Sequence, residues 1–221
     1  MNLEIDLAVL DIAGTTVQEH GLVYRALAEA TGAADVSTWM GADKREAVRA
    51  LLGDGASDAE VERVHAEFRS RLAELYEAEP PAPFPGVTDT LQLLRANGVK
   101  VALATGFDHE VTDALLRDIG WDEDVVDAVV CAEDVPAGRP APYMVFQAME
   151  ATGVWDVNRV LVAGDSVLDV EAGVNAGAGF VVAVLSGGVP AEVLGAHRHT
   201  HLLETVAELP AVLGVRVNDP V

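Results

Sequence analysis

The chain has 221 residues, half of them hydrophobic, with 36 acidic against 14 basic side chains and a formal net charge of -22. That length accommodates one large domain plus a small insertion, and the charge argues against nucleic acid or an anionic membrane as partners. No apolar run reaches membrane-spanning length, Met1-Asn2-Leu3-Glu4-Ile5-Asp6 lacks the basic start and apolar stretch of a signal peptide, and the single cysteine, Cys131, cannot close an internal disulfide. A cytoplasmic location is therefore expected, with Cys131 in the core of a strand.

Ile5 to Leu10 is nearly all apolar, as a parallel strand covered on both faces would be. It runs into Asp11-Ile12-Ala13-Gly14-Thr15-Thr16. The pattern then turns helical. Gly21 to Ala30 carries Leu22, Val23, Ala26, Leu27 and Ala30 at helical spacing, and Asp58 to Glu79 repeats the period with Val61, Val64, Phe68, Leu72 and Leu75. Between them, Asp43 reads as an N-cap with Glu46 as its capping-box partner, so that Lys44 opens a helix whose stripe is Lys44, Ala47, Val48 and Leu51. Pro80, Pro81, Pro83 and Pro85 end the helical region. An all-helical cap over 17-83 is thus expected inside a core of 1-16 and 84-221, with hinges at the two crossings.

Three further strands end in reactive or conformationally special residues. Val99 to Ala104 leads to Thr105-Gly106, Ala128 to Ala132 toward Gly138-Arg139-Pro140, and Val160 to Ala163 to Gly164-Asp165. In a doubly wound parallel α/β sheet these carboxyl ends share the edge where ligands bind. Singly, the residues have plainer readings: Asp11 and Asp165-Ser166 as caps, Thr105 likewise, and Arg139 as a solvated charge. Phe180 to Leu185 is followed by Ser186-Gly187-Gly188, which fits both a substrate-side loop and a plain turn. Thr200 to Leu203 reads as a final strand before a helix ending near Leu209-Pro210. His197, His199 and His201 alternate but lack an acid or cysteine partner, so a turn of strand is preferred to a metal site.

DIAGTT, LATG, VPAGRPAPYM and GDSVLD resemble, in order, the four motif segments of the haloacid dehalogenase superfamily, and the resemblance covers nearly the whole chain. Ala13, the string Asp134-Val135-Pro136-Ala137-Gly138-Arg139-Pro140, and Met40-Gly41 followed by Lys44 resemble the phosphonatase branch, the phosphonoacetaldehyde hydrolases. The resemblance implies a Rossmann-like core with a helical cap. It also implies Asp11 as a nucleophile that becomes an aspartyl-phosphate, Thr105 and Gly106 at the phosphoryl group with Arg139 as the cation beside it, and Met40 near the substrate. Asp11, the Ala13 carbonyl, Asp165 and Asp169 match the ligands of Mg2+, an ion suited to hard oxygen donors.

A phosphate ester's alcohol needs an acid beside the nucleophile to protonate it, a contribution of about 10²- to 10⁴-fold; Ala13 stands where that acid usually is. Breaking a carbon–phosphorus bond through an imine leaves no such oxygen. Lys44 is the amine for that imine in a chain with 12 arginines and 2 lysines. Apolar surroundings, the helix N-terminus and Arg45 lower its pKa while Asp43 raises it, and the net sign is open. Phosphonatases generally carry a histidine three residues after the lysine, where this chain has Ala47. The expected partner is a small phosphonate aldehyde; a phosphate-monoester phosphatase and an inactive binding protein are the alternatives, and a homodimer is compatible with the chain.

Overall fold

The computed structural model describes residues 5–214. In chain order the elements are β1 (Leu7–Leu10), β2 (Val17–Gln18), α1 (Leu22–Thr31), α2 (Lys44–Leu52), α3 (Asp58–Ala78), β3 (Ala82–Pro83), α4 (Val87–Ala96), β4 (Lys100–Ala104), α5 (His109–Ile119) and β5 (Ala128–Val130). There follow α6 (Tyr143–Thr152), β6 (Val160–Gly164), α7 (Val167–Ala176), β7 (Phe180–Val184), α8 (Ala191–Leu194), β8 (His201–Leu203) and α9 (Leu209–Leu213). Six parallel strands form one sheet in the order β5-β4-β1-β6-β7-β8. The winding reverses beside β1, which places a ligand crevice at its carboxyl end.

Alternation sorts the apolar strands into two cores. Leu7, Val9, Ala102, Val160 and Val162 point to the face covered by Met144, Val145 and Ala148 of α6. Ala8, Leu10, Leu103, Leu161 and Ala163 point to the other, which Leu91 and Leu94 of α4, Leu115 of α5 and Leu209 of α9 cover. This two-sided burial is why the strands read as continuous apolar runs.

The buried side chains of the helical region inserted between β2 and β3 are continuous with the core on the α4 face of the sheet. Leu22, Val23, Ala26 and Leu27 of α1 meet Val61, Val64, Phe68, Leu72 and Leu75 of α3, with Ala47 and Val48 of α2 alongside. β2 and β3 pair antiparallel, Val17 opposite Pro83 and Gln18 opposite Ala82, so both crossings are tied together. The proline run conceals this strand from sequence reading, but a proline is tolerated in a short edge pair.

Several expectations are corrected. Residues 131 and 132 leave the sheet: β5 stops at Val130, and Cys131, fully buried, precedes a 3-10 turn over Ala132–Asp134. A 3-10 turn over Val206–Glu208 ends at Leu209 as expected, but an α-helix begins there, because proline's missing N–H costs nothing in a first turn. Asp43 caps α2 by accepting from Arg45 N (2.7 Å) and Glu46 N (3.1 Å), but among the described residues Glu46 returns no bond. The three histidines do not converge: His197 faces Glu171 at 3.2 Å, His199 bonds the His197 carbonyl, and His201 bonds Thr200. No described helix is long and apolar enough to cross a membrane.

Phe68 is among the largest fully buried side chains and joins α3 to the rest of the insertion. Phe68→Ala is expected to cost about 3–5 kcal/mol in urea unfolding. A loss under about 1 kcal/mol would mean that this packing contributes little.

Candidate active site

The sheet register builds the site. Leu10 is level with Leu103 and Ala163, so Asp11 one residue beyond the first and Thr105 and Asp165 two residues beyond the others emerge on a common edge. Backbone bonds fix the level: Asp11 N donates to Ala163 O (3.0 Å) and Thr105 N to Val130 O (2.9 Å). Asp169 arrives from the first turn of α7, where Ser166 caps the helix and Asp169 accepts from Ser166 N at 3.0 Å. The capping reading of Ser166 is correct, and the same box aims the second oxygen of Asp169 at the site.

Carboxylate oxygens of Asp11, Asp165 and Asp169 lie within 4.8 Å of one another, and all three residues are buried. Arg139 Nη1 donates to Asp11 Oδ1 at 2.7 Å and also bonds Asp169 Oδ1. Thr15 Oγ1 donates to Asp165 Oδ1 at 2.8 Å. Gly187 approaches Asp165 so closely that an added Cβ would sit 1.8 Å from Oδ2. Among the described residues Arg139 is the only cation bonded to the cluster, which leaves a buried excess of negative charge made of hard oxygen donors. That donor set fits a divalent cation such as Mg2+.

Lys44 enters from the insertion. Its backbone N donates to Gly106 O at 3.1 Å, so the first residue of α2 is pinned to the turn after β4. An added Cβ at Gly106 would stand 2.3 Å from Ala42 O, and this contact needs glycine. The side chain is buried at 4 % exposure, its Nζ donating to Ala42 O at 2.6 Å and lying 5.7 Å from the centre of the Phe107 ring. The expected stripe is present: Lys44, Ala47 and Val48 are buried and Leu51 is half-buried.

Electrostatics push two of these groups in opposite directions. Burial, opposed by Arg139 and reinforced by Asp169, raises the Asp11 carboxyl to about 6. Burial and then Arg139 lower the Lys44 ammonium to about 8 against the pull of Asp11, Asp43 and Glu19. Arg45, expected from sequence to act on the lysine, is exposed and pairs with Glu62 at 3.1 Å; the cation that matters comes from the core. Burial and the neighbouring Asp11 and Asp169 hold Asp165 well above the ordinary carboxyl range.

Beside the cluster a cavity of about 270 Å3 is bordered by Ala13, Glu19, Tyr24, Met40, Asp165 and Gly187, among others. Met40 and Ala13 thus meet there, and Ser186-Gly187-Gly188 lines it rather than forming a turn remote from the site. Thr105 accepts from Phe107 N at 3.2 Å, which leaves its hydroxyl proton uncommitted. A larger groove of about 720 Å3 between α3 and α5 contains none of the strand-end residues, whereas the smaller cavity reaches the carboxylate cluster at Asp165. Glu19 and Tyr24 escaped sequence reading: Tyr24 lies off the apolar stripe of α1, and Glu19 resembles any hinge acid. A His109, Cys131 and Asp134 group was also missed; His109 bonds Asp134 at 2.9 Å and the Cys131 thiol bonds Thr112 at 3.4 Å.

Residues 5–177 match the model for haloacid dehalogenase-like hydrolases, and the chain belongs to this family. A phosphonoacetaldehyde hydrolase from Parabacteroides distasonis is 31% identical over 192 residues, 76% of this chain and 72% of that protein. Among solved structures, a phosphonoacetaldehyde hydrolase-like protein from Oleispira antarctica superposes with a TM-score of 0.79 at 20% identity, covering 96% of this chain and 92% of its own. A predicted phosphoglycolate phosphatase from Haemophilus somnus gives a TM-score of 0.75 at 18% identity, covering 94% and 97%. At those identities the structural matches establish the Rossmann-like fold alone.

The Lys44 value has a measurable sign. Below about 8 the ammonium predominates and above it the free amine, whereas an ordinary lysine titrates near 10.4. Trace acetylation of Lys44 by acetic anhydride, followed by peptide mass against an added amine standard, is expected to rise with pH and level off above about 9. A rate still climbing at pH 10 would place the ammonium in an unperturbed environment.

Proposed function

We propose that this hydrolase cleaves the carbon–phosphorus bond of a small phosphonate aldehyde, phosphonoacetaldehyde or a close relative, using Lys44 and Asp11 together. The observation that carries the reading is a buried amine with a lowered pKa, brought by the insertion to a buried carboxylate that has Ala13 two residues on. The relatives named phosphonoacetaldehyde hydrolase support it.

The free amine of Lys44 condenses with the aldehyde and a proton from solvent, releasing water and forming a protonated imine. The iminium withdraws the electron pair of the carbon–phosphorus bond as Asp11 takes the phosphoryl group, leaving a neutral enamine on Lys44 and an acyl phosphate on Asp11. Thr105 and the Gly106 turn hold the phosphoryl oxygens, and Arg139 offsets their charge. Mg2+, held by Asp11, Asp165, Asp169 and the Ala13 carbonyl, would supply the positive charge that lets two anions meet. Water then hydrolyses the acyl phosphate; the enamine takes a proton on carbon, and hydrolysis frees the aldehyde and the amine. No alcohol oxygen needs protonation at any point, which is consistent with alanine at position 13. The residues 17-83 act as a cap over a core of 1-16 and 84-221, and the paired β2 and β3 form its hinge.

A phosphatase acting on a small phosphate monoester is the second reading, because the buried Asp11, Asp165 and Asp169 with Arg139 would serve that reaction as well. It requires an acid for the leaving oxygen, a part Ala13 cannot play.

Asp11→Asn is expected to abolish phosphate release, because the amide keeps the shape and loses the nucleophile, and excess chelator is expected to do the same to the unaltered protein. Full turnover under either condition removes the mechanism. Borohydride added during turnover of phosphonoacetaldehyde should leave a reduced adduct on Lys44, and Lys44→Arg should keep the charge while losing carbon–phosphorus cleavage. No adduct together with a fully active Lys44→Arg would put the phosphatase reading first.

A further inference from the structure

The cavity wall that the insertion contributes holds polar groups with no task in the chemistry above. Glu19 is committed, its carboxylate oxygens accepting Gly21 N (3.0 Å) and Val23 N (2.8 Å) at the first turn of α1. Gln18 and His20 are exposed at the hinge, His20 beside Glu79 at 3.7 Å. On the core side Ser186 Oγ donates to Gly14 O at 2.7 Å. Tyr24 differs from these: it is half-buried, borders the cavity with Ala13, Met40 and Asp165, and among the described residues its hydroxyl makes no hydrogen bond.

Water in the open cavity can satisfy that hydroxyl, but a bound substrate displaces the water and must replace its bond. The direction of the bond is set by the surroundings. Burial, with Asp165 and Asp11 adding, holds the phenol well above its usual range, so it stays protonated and donates. The phosphonate end of the substrate is claimed by Arg139, Thr105 and the metal ligands. The acceptor left is the oxygen on the carbon chain.

Given the phosphonate-aldehyde reading, on which this inference rests, we infer that Tyr24 is a substrate-binding and catalytic residue whose hydroxyl donates to the carbonyl oxygen while Lys44 attacks the carbonyl carbon. The nitrogen–carbon bond forms as the carbonyl π pair moves onto oxygen. That oxygen takes one proton from the amine nitrogen and a second from solvent, and leaves as water as the nitrogen lone pair closes the iminium. Tyr24 keeps its proton throughout and favours the state in which oxygen carries most charge. A phenol fixed here also discriminates: it rewards substrates with an oxygen on the carbon bearing the imine and penalises those presenting a methyl.

The test compares the unaltered protein with Tyr24→Phe, both with Mg2+ and phosphonoacetaldehyde. The variant is expected to lose kcat/KM on the order of 10- to 100-fold, as for a lost hydrogen bond to developing charge, and to form the borohydride-reduced Lys44 adduct more slowly by a similar factor. Its affinity for inorganic phosphate is expected to be unchanged, because that anion needs only the strand-end groups. Tyr24→His, which retains a donor, is expected to fall less than the phenylalanine variant. No Lys44 adduct in the unaltered protein would overturn the parent reading and this inference with it. A normal adduct and a fully active Tyr24→Phe would overturn the Tyr24 assignment alone. Loss of phosphate affinity in step with activity, or equal losses in the histidine and phenylalanine variants, would make Tyr24 a packing residue and likewise overturn it.

Discussion

Asp11, Asp165 and Asp169 crowd like charges into a space that solvent barely reaches. Two unit charges 4 Å apart repel by about 4 kcal/mol at an effective dielectric constant near 20, so three together need a reason to stay. The sheet supplies the placement: β1 and β6 end within one residue of each other, which brings Asp11 and Asp165 to the same edge whatever their charge. Arg139 offsets part of the repulsion through its bonds to Asp11 and Asp169, and Thr15 donates to Asp165. What remains is net negative charge on oxygen donors, a feature that destabilises the isolated protein and suits a site that captures a cation. The raised Asp11 and Asp165 pKa values report the same unrelieved repulsion added to burial.

The burial that hinders ionisation of Asp11 helps Lys44. Desolvation disfavours charge on either group, raising an acid and lowering a base, and it brings the pair to about 6 and about 8 from opposite sides. Between those values an anionic carboxylate and a neutral amine, the two forms the proposed chemistry calls for, coexist. This depends on how closely the helical insertion sits on the sheet edge. The contact is made by the Lys44 backbone against Gly106 and by the absence of a side chain at that glycine, so the residue carrying the amine is also the one that seats its helix.

Much of this was legible in the sequence because the controlling signals are local. Buried parallel strands have to be apolar on both faces, and a reactive residue after each run has to lie on the sheet edge; Asp11, Thr105 and Asp165 follow from that alone. Lys44 was readable from the cap chemistry of Asp43 and the spacing to Ala47 and Val48. Pairing between Val17–Gln18 and Ala82–Pro83 was not, since two-residue strands have no periodicity and one contains proline. Nor was the source of the lysine's perturbation, because Arg139 is remote in sequence and Arg45 is adjacent. Long-range electrostatics depends on the fold, and Tyr24 and Glu19 acquire meaning only when the cavity exists. Pro210 misled for another reason: proline both ends helices and begins them, and position alone does not say which.

The residues around Ala13 bear on the choice between carbon–phosphorus and oxygen–phosphorus cleavage. A leaving alkoxide needs a proton donor of moderate strength close to the scissile bond. Ala13 borders the cavity with a methyl group, and the neighbouring phenol of Tyr24 holds its proton more tightly than an ordinary tyrosine because burial and the acidic cluster oppose its ionisation. Such a group makes a good hydrogen-bond donor and a poor acid. Glu19, with a raised pKa, is the stronger candidate acid on the wall, but both its oxygens are engaged by the first turn of α1. The cavity is therefore better furnished to polarise a carbonyl than to protonate a departing alcohol. The proposed substrate, whose leaving group is a carbon stabilised by an imine, asks for that combination: a donor that keeps its proton, and an amine that gives one up more readily than an ordinary lysine.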